Sequence, residues 1–166
     1  MGIKESRATR RRQTAECFTP KTLVQEILVK LPEDVWQEDK TFLDPSCGNG
    51  NILLEVLRTK LDHGINSLFC LQNIYGTDIM EDNIYECRLR LLKLIQDRGF
   101  EINQAMIETI LTNIICTDLL TYINGSLDYD FSFNQTDPKE KVQDWVKNIK
   151  YVLSGVDADF GIIEEE

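Results

Sequence analysis

Histidine is nearly absent: His63 is the only one in 166 residues. Zinc centres and nucleophilic triads both depend on imidazole. The five cysteines (Cys17, Cys47, Cys70, Cys87 and Cys116) contain no C-x-x-C pair, so no metal site is expected. The neighbours of His63, Asp62 and Gly64, mark an exposed helix end rather than the centre of a triad. An odd number of scattered cysteines, with no apolar leader at the N-terminus, fits reduced thiols in a cytoplasmic protein. No apolar run approaches the roughly 18–20 residues of a membrane span, so no membrane partner is expected. Proline is scarce, at Pro20, Pro32, Pro45 and Pro138 only, and never doubled. Positive charge is also short: 18 Lys plus Arg face 28 Asp plus Glu, for a formal charge of −10. That balance excludes a broad basic surface of the kind that grips nucleic acid.

What remains is ordinary globular composition, 42% hydrophobic and 28% charged, at the length of a single domain. The charge is uneven. Residues 1–12 hold Lys4, Arg7, Arg10, Arg11 and Arg12 against Glu5 alone, a sum of +4 that leaves −14 on the rest. The chain therefore divides into a basic, flexible arm at 1–13 and one domain at 14–166. Such an arm can track a phosphate backbone, bind an acidic protein partner, or be a solvated end.

Hydrophobic spacing organises the domain. Thr19-Pro20 starts a helix with Thr19 at its cap and Leu23, Val24, Ile27, Leu28 and Leu31 along it. Thr41 to Asp44 is a short buried strand ending at Pro45. The turn Ser46-Cys47-Gly48-Asn49-Gly50 then opens a helix bearing Ile52, Leu53, Val56, Leu57 and Leu61. The alternation repeats: a strand at 72–77 ending at Asp78, a helix at 81–98 closed by Gly99, a helix at 103–111, and a strand at 112–116 ending at Thr117-Asp118. A fourth strand is expected at Tyr129–Phe133, a helix at Lys139–Leu153 and a last strand at Ala158–Ile163. Strands alternating with helices indicate an α/β fold, a Rossmann-like parallel sheet with helices on both faces.

In such a sheet, ligands bind beyond the carboxyl ends of the strands. Three strand ends finish in acid: Asp44, Asp78 and Asp118. Gly48-x-Gly50 after the first lets the backbone approach a ligand closely, and the following helix offers free N–H groups. Asp78 stands where a carboxylate accepts from ribose hydroxyls, and Asp118 where one accepts from an exocyclic amine. Leu53 occupies the third glycine position of the dinucleotide fingerprint, which argues against NAD. The pattern describes an adenosine-containing ligand without a pyrophosphate.

Longer strings carry a resemblance. Phe18-Thr19-Pro20, followed by Phe42-Leu43-Asp44-Pro45-Ser46-Cys47-Gly48-Asn49-Gly50-Asn51-Ile52-Leu53, resembles the amino-group DNA methyltransferases that modify adenine N6. Their corresponding segments read F-T-P and D-P-A-C-G-S-G; here Ser46 replaces the Ala and Asn49 the Ser. Tyr75-Gly76-Thr77-Asp78-Ile79 looks like the family's second motif and Cys116-Thr117-Asp118-Leu119-Leu120 like its third. The resemblance implies S-adenosylmethionine (SAM) as cofactor. Phe18, Thr19 and Pro20 would line its methionine end, and Asp44 and the Gly48–Gly50 turn would approach its amino acid portion. Asp78 would take the ribose, Ile79 the adenine face and Asp118 the adenine amine, with Pro45, Cys47, Asn49 and Leu119 completing the set.

The family's fourth motif, N-P-P-Y or D-P-P-Y, supplies the group that accepts from the target amine and the aromatic that stacks on the flipped base. The best positional match here is Asn134, with Gln135 and Thr136 in place of the prolines and Asp137 in place of the aromatic. Asn134 is the catalytic candidate, in a short form of the family domain. Two functional classes follow: a SAM-dependent methyltransferase-like protein, or a non-catalytic interaction or inhibitor protein on the same scaffold, acting on a DNA-processing partner. In the first, DNA contact falls to the basic arm; a protein partner or a homo-oligomer is compatible with either. Transfer of methyl to a small molecule or a protein is a further alternative.

Overall fold

The computed structural model describes residues 17–119 and 138–163, together with Thr9. Pro20, extended at φ −61° and ψ 145°, caps helix α1 (Lys21–Leu28), so the helix starts one residue later than expected and Thr19 is not its cap. Proline's fixed φ suits either position, which is why the sequence signal is ambiguous by one residue. Val24 and Leu28 point inward, whereas Leu23 and Ile27 are 46% and 45% exposed. A short 3₁₀ turn (Glu33–Trp36) then delivers Trp36 onto Phe42, with ring centroids 5.1 Å apart.

Strand β1 (Phe42–Asp44) leads through the glycine turn into α2 (Asn51–Asp62). Helix α3 (Ser67–Gln72) was not expected from the sequence. It forms because Asn66 caps it, its side chain accepting from the N–H groups of Leu68 and Phe69. It also shortens the next strand, β2, to Ile74–Asp78. Helix α4 (Glu81–Asp97) buries Ile84, Cys87, Leu91, Leu92 and Ile95, as the spacing predicts. Its end carries paired hydrogen bonds from Gly99 N–H to Gln96 O and from Phe100 N–H to Ile95 O. Helix α5 (Gln104–Asn113) runs directly into β3 (Ile114–Cys116).

The three strands form one parallel sheet in the order β1-β2-β3, pairing Phe42 with Ile74 and Gly76 with Ile114. Helices flank it on both faces. On the face of Ile74 and Gly76, α2 comes so close that a Cβ on Gly76 would lie 2.6 Å from Leu53 Cδ1. The opposite face is buried at Thr77 and Ile115 but open at Leu43 and Tyr75, 57% and 39% exposed. β1 is thus not the buried strand its composition suggests, because among the described residues it pairs on one side only.

Helix α6 (Pro138–Ser154) packs Val142, Trp145 and Ile149 into the core, and Trp145 meets Tyr85 edge-on at 6.2 Å. The expected final strand is instead a small antiparallel hairpin, β4 (Val156–Asp157) and β5 (Gly161–Ile162). The Asp157 carboxylate accepts from the N–H groups of Asp159 and Phe160, which turns the chain back on itself. The strand expected at Tyr129–Phe133 lies outside the described residues, as does the basic arm apart from Thr9. No helix among the described residues is long and apolar enough to cross a membrane.

Candidate functional site

The glycine turn is held from four directions. Ser46 N–H donates to Asp44 Oδ1 at 3.2 Å, and Cys47 N–H donates to Thr77 O at 2.8 Å. Thr77 Oγ1 returns a hydrogen bond to Pro45 O at 2.7 Å. Gly48 N–H donates to Asp78 Oδ2 at 3.0 Å, joining the turn to the end of β2. Gly48 and Gly50 have φ of +55° and +96°, the left-handed region that side chains resist.

The space a Cβ would occupy at each is already taken. The Phe18 ring lies 2.9 Å from the Cβ position of Gly48, and Cys87 Sγ lies 2.6 Å from that of Gly50. Asn51 Nδ2 donates to Thr19 O at 2.8 Å. These contacts bring the Phe18-Thr19-Pro20 segment, more than two dozen residues away in sequence, against the turn. The result is a small, open cleft of about 30 Å³, lined by Cys17, Phe18 and Thr19, by Asp44 and Ser46–Asn49, and by Asn51 and Ile52 from the start of α2.

The electrostatics of this cleft are acidic. Burial pushes the Asp44 carboxyl up from its ordinary value and nearby Asp78 adds to the shift, against the opposing pull of the Ser46 N–H. Asp78 also accepts from Met80 N–H at 2.8 Å and from Asn83 Nδ2 at 3.4 Å, so one carboxylate organises both the turn and the start of α4. Asn49 is 7% exposed; its Nδ2 donates to Glu86 Oε1 at 3.3 Å, while its Oδ1 has no hydrogen-bond partner among the described residues. Cys47 is buried against Cys87, and that thiol–thiol contact, with burial, raises its pKa well above the ordinary value. That environment disfavours a reactive thiolate at Cys47.

The other candidates occupy neighbouring strand ends rather than the cleft wall. Thr117 N–H donates to Asp78 O at 2.9 Å, which sets the end of β3 beside the end of β2. Ile79 is 65% exposed, Asp118 is exposed and Leu119 half-buried. Pro20 and Pro45 are exposed at the borders of the two segments. Asn134 lies outside the described residues. Among the described residues there is no group of three or more His, Cys, Asp or Glu able to hold a metal ion.

Sequence reasoning missed Asn51, Glu86 and Arg90. The last two are charged, yet they share the helical face of Cys87 and Leu94, and that spacing was a readable signal of burial.

Comparison with known proteins returns one partial likeness. The type II methyltransferase M.VspI of Vibrio sp. (strain 343) is 36% identical over 77 residues. That stretch is 46% of this chain and 16% of the relative, so the chain spans about one-sixth of the protein it matches. No protein-family model and no solved structure matches the chain. An α/β parallel-sheet fold and a methyltransferase likeness over just under half of the sequence together characterise a methyltransferase-like protein.

Proposed function

We propose that this chain binds S-adenosylmethionine in the cleft between the Phe18–Pro20 segment and the glycine turn, as part of a DNA-adenine-N6-type methyltransferase. The observation that carries the reading is the junction of two segments that the sequence holds apart: Asn51 Nδ2 on Thr19 O, and Phe18 packed on Gly48. The residues present fit such a ligand. SAM carries a sulfonium and an ammonium, and the cleft offers the Asp44 carboxylate and the unpartnered, buried Asn49 Oδ1 as acceptors. When bound, SAM supplies an activated methyl group.

In this reading Phe18, Thr19 and Pro20 hold the methionine end, and Asp44, Pro45 and Cys47–Gly50 hold its amino acid part. Asp78 and Ile79 take the ribose and adenine, and Asp118 and Leu119 the far edge of the adenine. Asp78 keeps acceptor capacity for the ribose beside its bonds to Gly48 and Met80, since a carboxylate has about four lone-pair sites. The partner of the reaction is DNA, contacted through Lys4 to Arg12, and Asn134 receives the target amine.

Isothermal calorimetry with SAM tests the reading directly: a saturable heat is expected, and its absence in the intact protein overturns it. Incubation with unmethylated DNA and SAM, with N6-methyladenine as the readout, tests the chemistry. A non-catalytic binding module is the second reading, favoured by Gln135-Thr136 where the family has two prolines. Cofactor heat without methylated product supports that reading over the first.

A further inference from the structure

Helix α4 carries two buried charged side chains one turn apart that the cofactor reading does not use. Glu86 is 4% exposed and Arg90 is 2% exposed, positions where a charge survives only with well-placed partners. Among the described residues, the Arg90 guanidinium donates to Asn49 O at 2.9 Å and to Asn51 Oδ1 at 2.7 Å. It also donates to Ala158 O and Asp159 O, each at 2.9 Å. Glu86 Oε1 accepts from Asn49 Nδ2 and lies against Gly161, where any Cβ would run into its carboxylate. Both side chains therefore join the same two elements, the glycine turn and the β4–β5 hairpin.

The connection extends at both ends. Asn51 passes it to Thr19 O, on the far side of the cleft. The Asp159 carboxylate takes Arg58 Nη2 at 2.8 Å and Lys21 Nζ at 3.3 Å, binding the hairpin tip to α2 and α1.

We infer that Arg90 is a positioning residue of the cleft, and that through it the β4–β5 hairpin sets the geometry of the glycine turn without touching the ligand. A planar guanidinium reaches four acceptors in fixed directions; an ammonium on a flexible stem does not. The bonds that the Arg90 guanidinium donates to Asn49 O and Asn51 Oδ1 hold the turn and Asn51 together, so a shift of the hairpin moves both walls of the cleft. Coupling of this kind is reciprocal: a ligand that orders the turn also protects the hairpin.

The affinity half of the test rests on the proposed cofactor; the hydrogen-exchange half does not. In the ligand-free intact protein, Arg90→Lys is expected to speed amide exchange at residues 47–51 and 157–161 together, with residues 74–76 unchanged. Its SAM affinity is expected to fall about tenfold or more, with less than about a twofold change for 5′-methylthioadenosine, which lacks the amino acid part. In the wild type, SAM is expected to slow exchange in the hairpin. Faster exchange in the hairpin alone, or equal losses for both ligands, overturns the inference. If Arg90→Lys loses protection throughout β2, Asp159→Ala decides: faster exchange in the hairpin and the turn together supports the coupling, and in the hairpin alone refutes it. A wild type that does not bind SAM sinks the cofactor reading and leaves the exchange comparison to judge the coupling.

Discussion

Alanine at Gly50, set against alanine at Gly64, separates the packing beneath the glycine turn from its backbone geometry. Gly50 sits at φ +96°, and a Cβ there would lie 2.6 Å from Cys87 Sγ and 3.2 Å from Cys87 Cβ. A left-handed residue with a side chain costs about 1–2 kcal/mol. Forcing an extra carbon into a filled core costs about 1–3 kcal/mol more. Gly50→Ala should therefore lose about 2–5 kcal/mol, a large share of a typical net stability of about 5–15 kcal/mol. Gly64 supplies the control, because its φ is +76° and nothing lies within 4 Å of its Cβ position. Gly64→Ala should cost only the backbone part, about 1–2 kcal/mol. Urea unfolding followed by far-ultraviolet circular dichroism gives both values, and their difference is the steric share. Adding Cys87→Ala to Gly50→Ala should recover part of that share, since the Sγ overlap disappears while the 3.2 Å Cβ contact stays. Equal losses at Gly50 and Gly64, or no recovery in the double variant, would refute the packing argument.

His63 gives a second test, because as the only histidine it yields a clean NMR titration. Its Nε2 lies 2.8 Å from Glu33 Oε1, and that bond, followed by the one to Thr59 O, raises its pKa above the ordinary 6.5. The pair stabilises the fold below the ordinary value and loses its effect as pH rises through the raised one. Glu33→Gln should lower the His63 pKa and destabilise the protein near pH 6 but not near pH 9; an unmoved titration curve contradicts this. Asp44→Asn should be neutral or stabilising at neutral pH. The raised Asp44 pKa means that stability falls as pH climbs above 3.8, so the advantage of Asn should vanish below that value, while calorimetric SAM binding is lost. Lys60 is fully buried, donates to Lys40 O at 2.9 Å and holds its ammonium 5.4 Å from the centre of the Phe42 ring. Lys60→Met keeps the packed stem and should cost less than about 1.5 kcal/mol, whereas Lys60→Ala should cost about 2–5 kcal/mol. Similar unfolding midpoints for the two would show that the stem is not packing.

Much of the frame is local and therefore readable in the chain. The periodicity of Ile84, Cys87, Leu91, Leu92 and Ile95 is a property of one helix, and all five are buried as that spacing requires. The Gly48-x-Gly50 turn and the acids at the strand ends are likewise set by neighbouring residues, because left-handed backbone demands glycine wherever it occurs. Short elements were less readable: α3 depends on a single cap at Asn66, and the last hairpin on the carboxylate of Asp157.

The sequence by itself determined the alternation of strands and helices, the glycine turn and the presence of a single histidine. On α4 the helical spacing signals that Glu86 and Arg90 are buried, but not what pairs them: the donor to Glu86 and the acceptors of Arg90. Those acceptors are the carbonyls of Asn49, Ala158 and Asp159, and the last two stand 68 and 69 residues away. Only the tertiary structure decided that Phe18 would fill the gap over Gly48, that Leu43 would face outward, and that the hairpin would be tied to the turn. Each depends on which distant backbone groups come within hydrogen-bond or van der Waals reach, a quantity that local spacing does not encode.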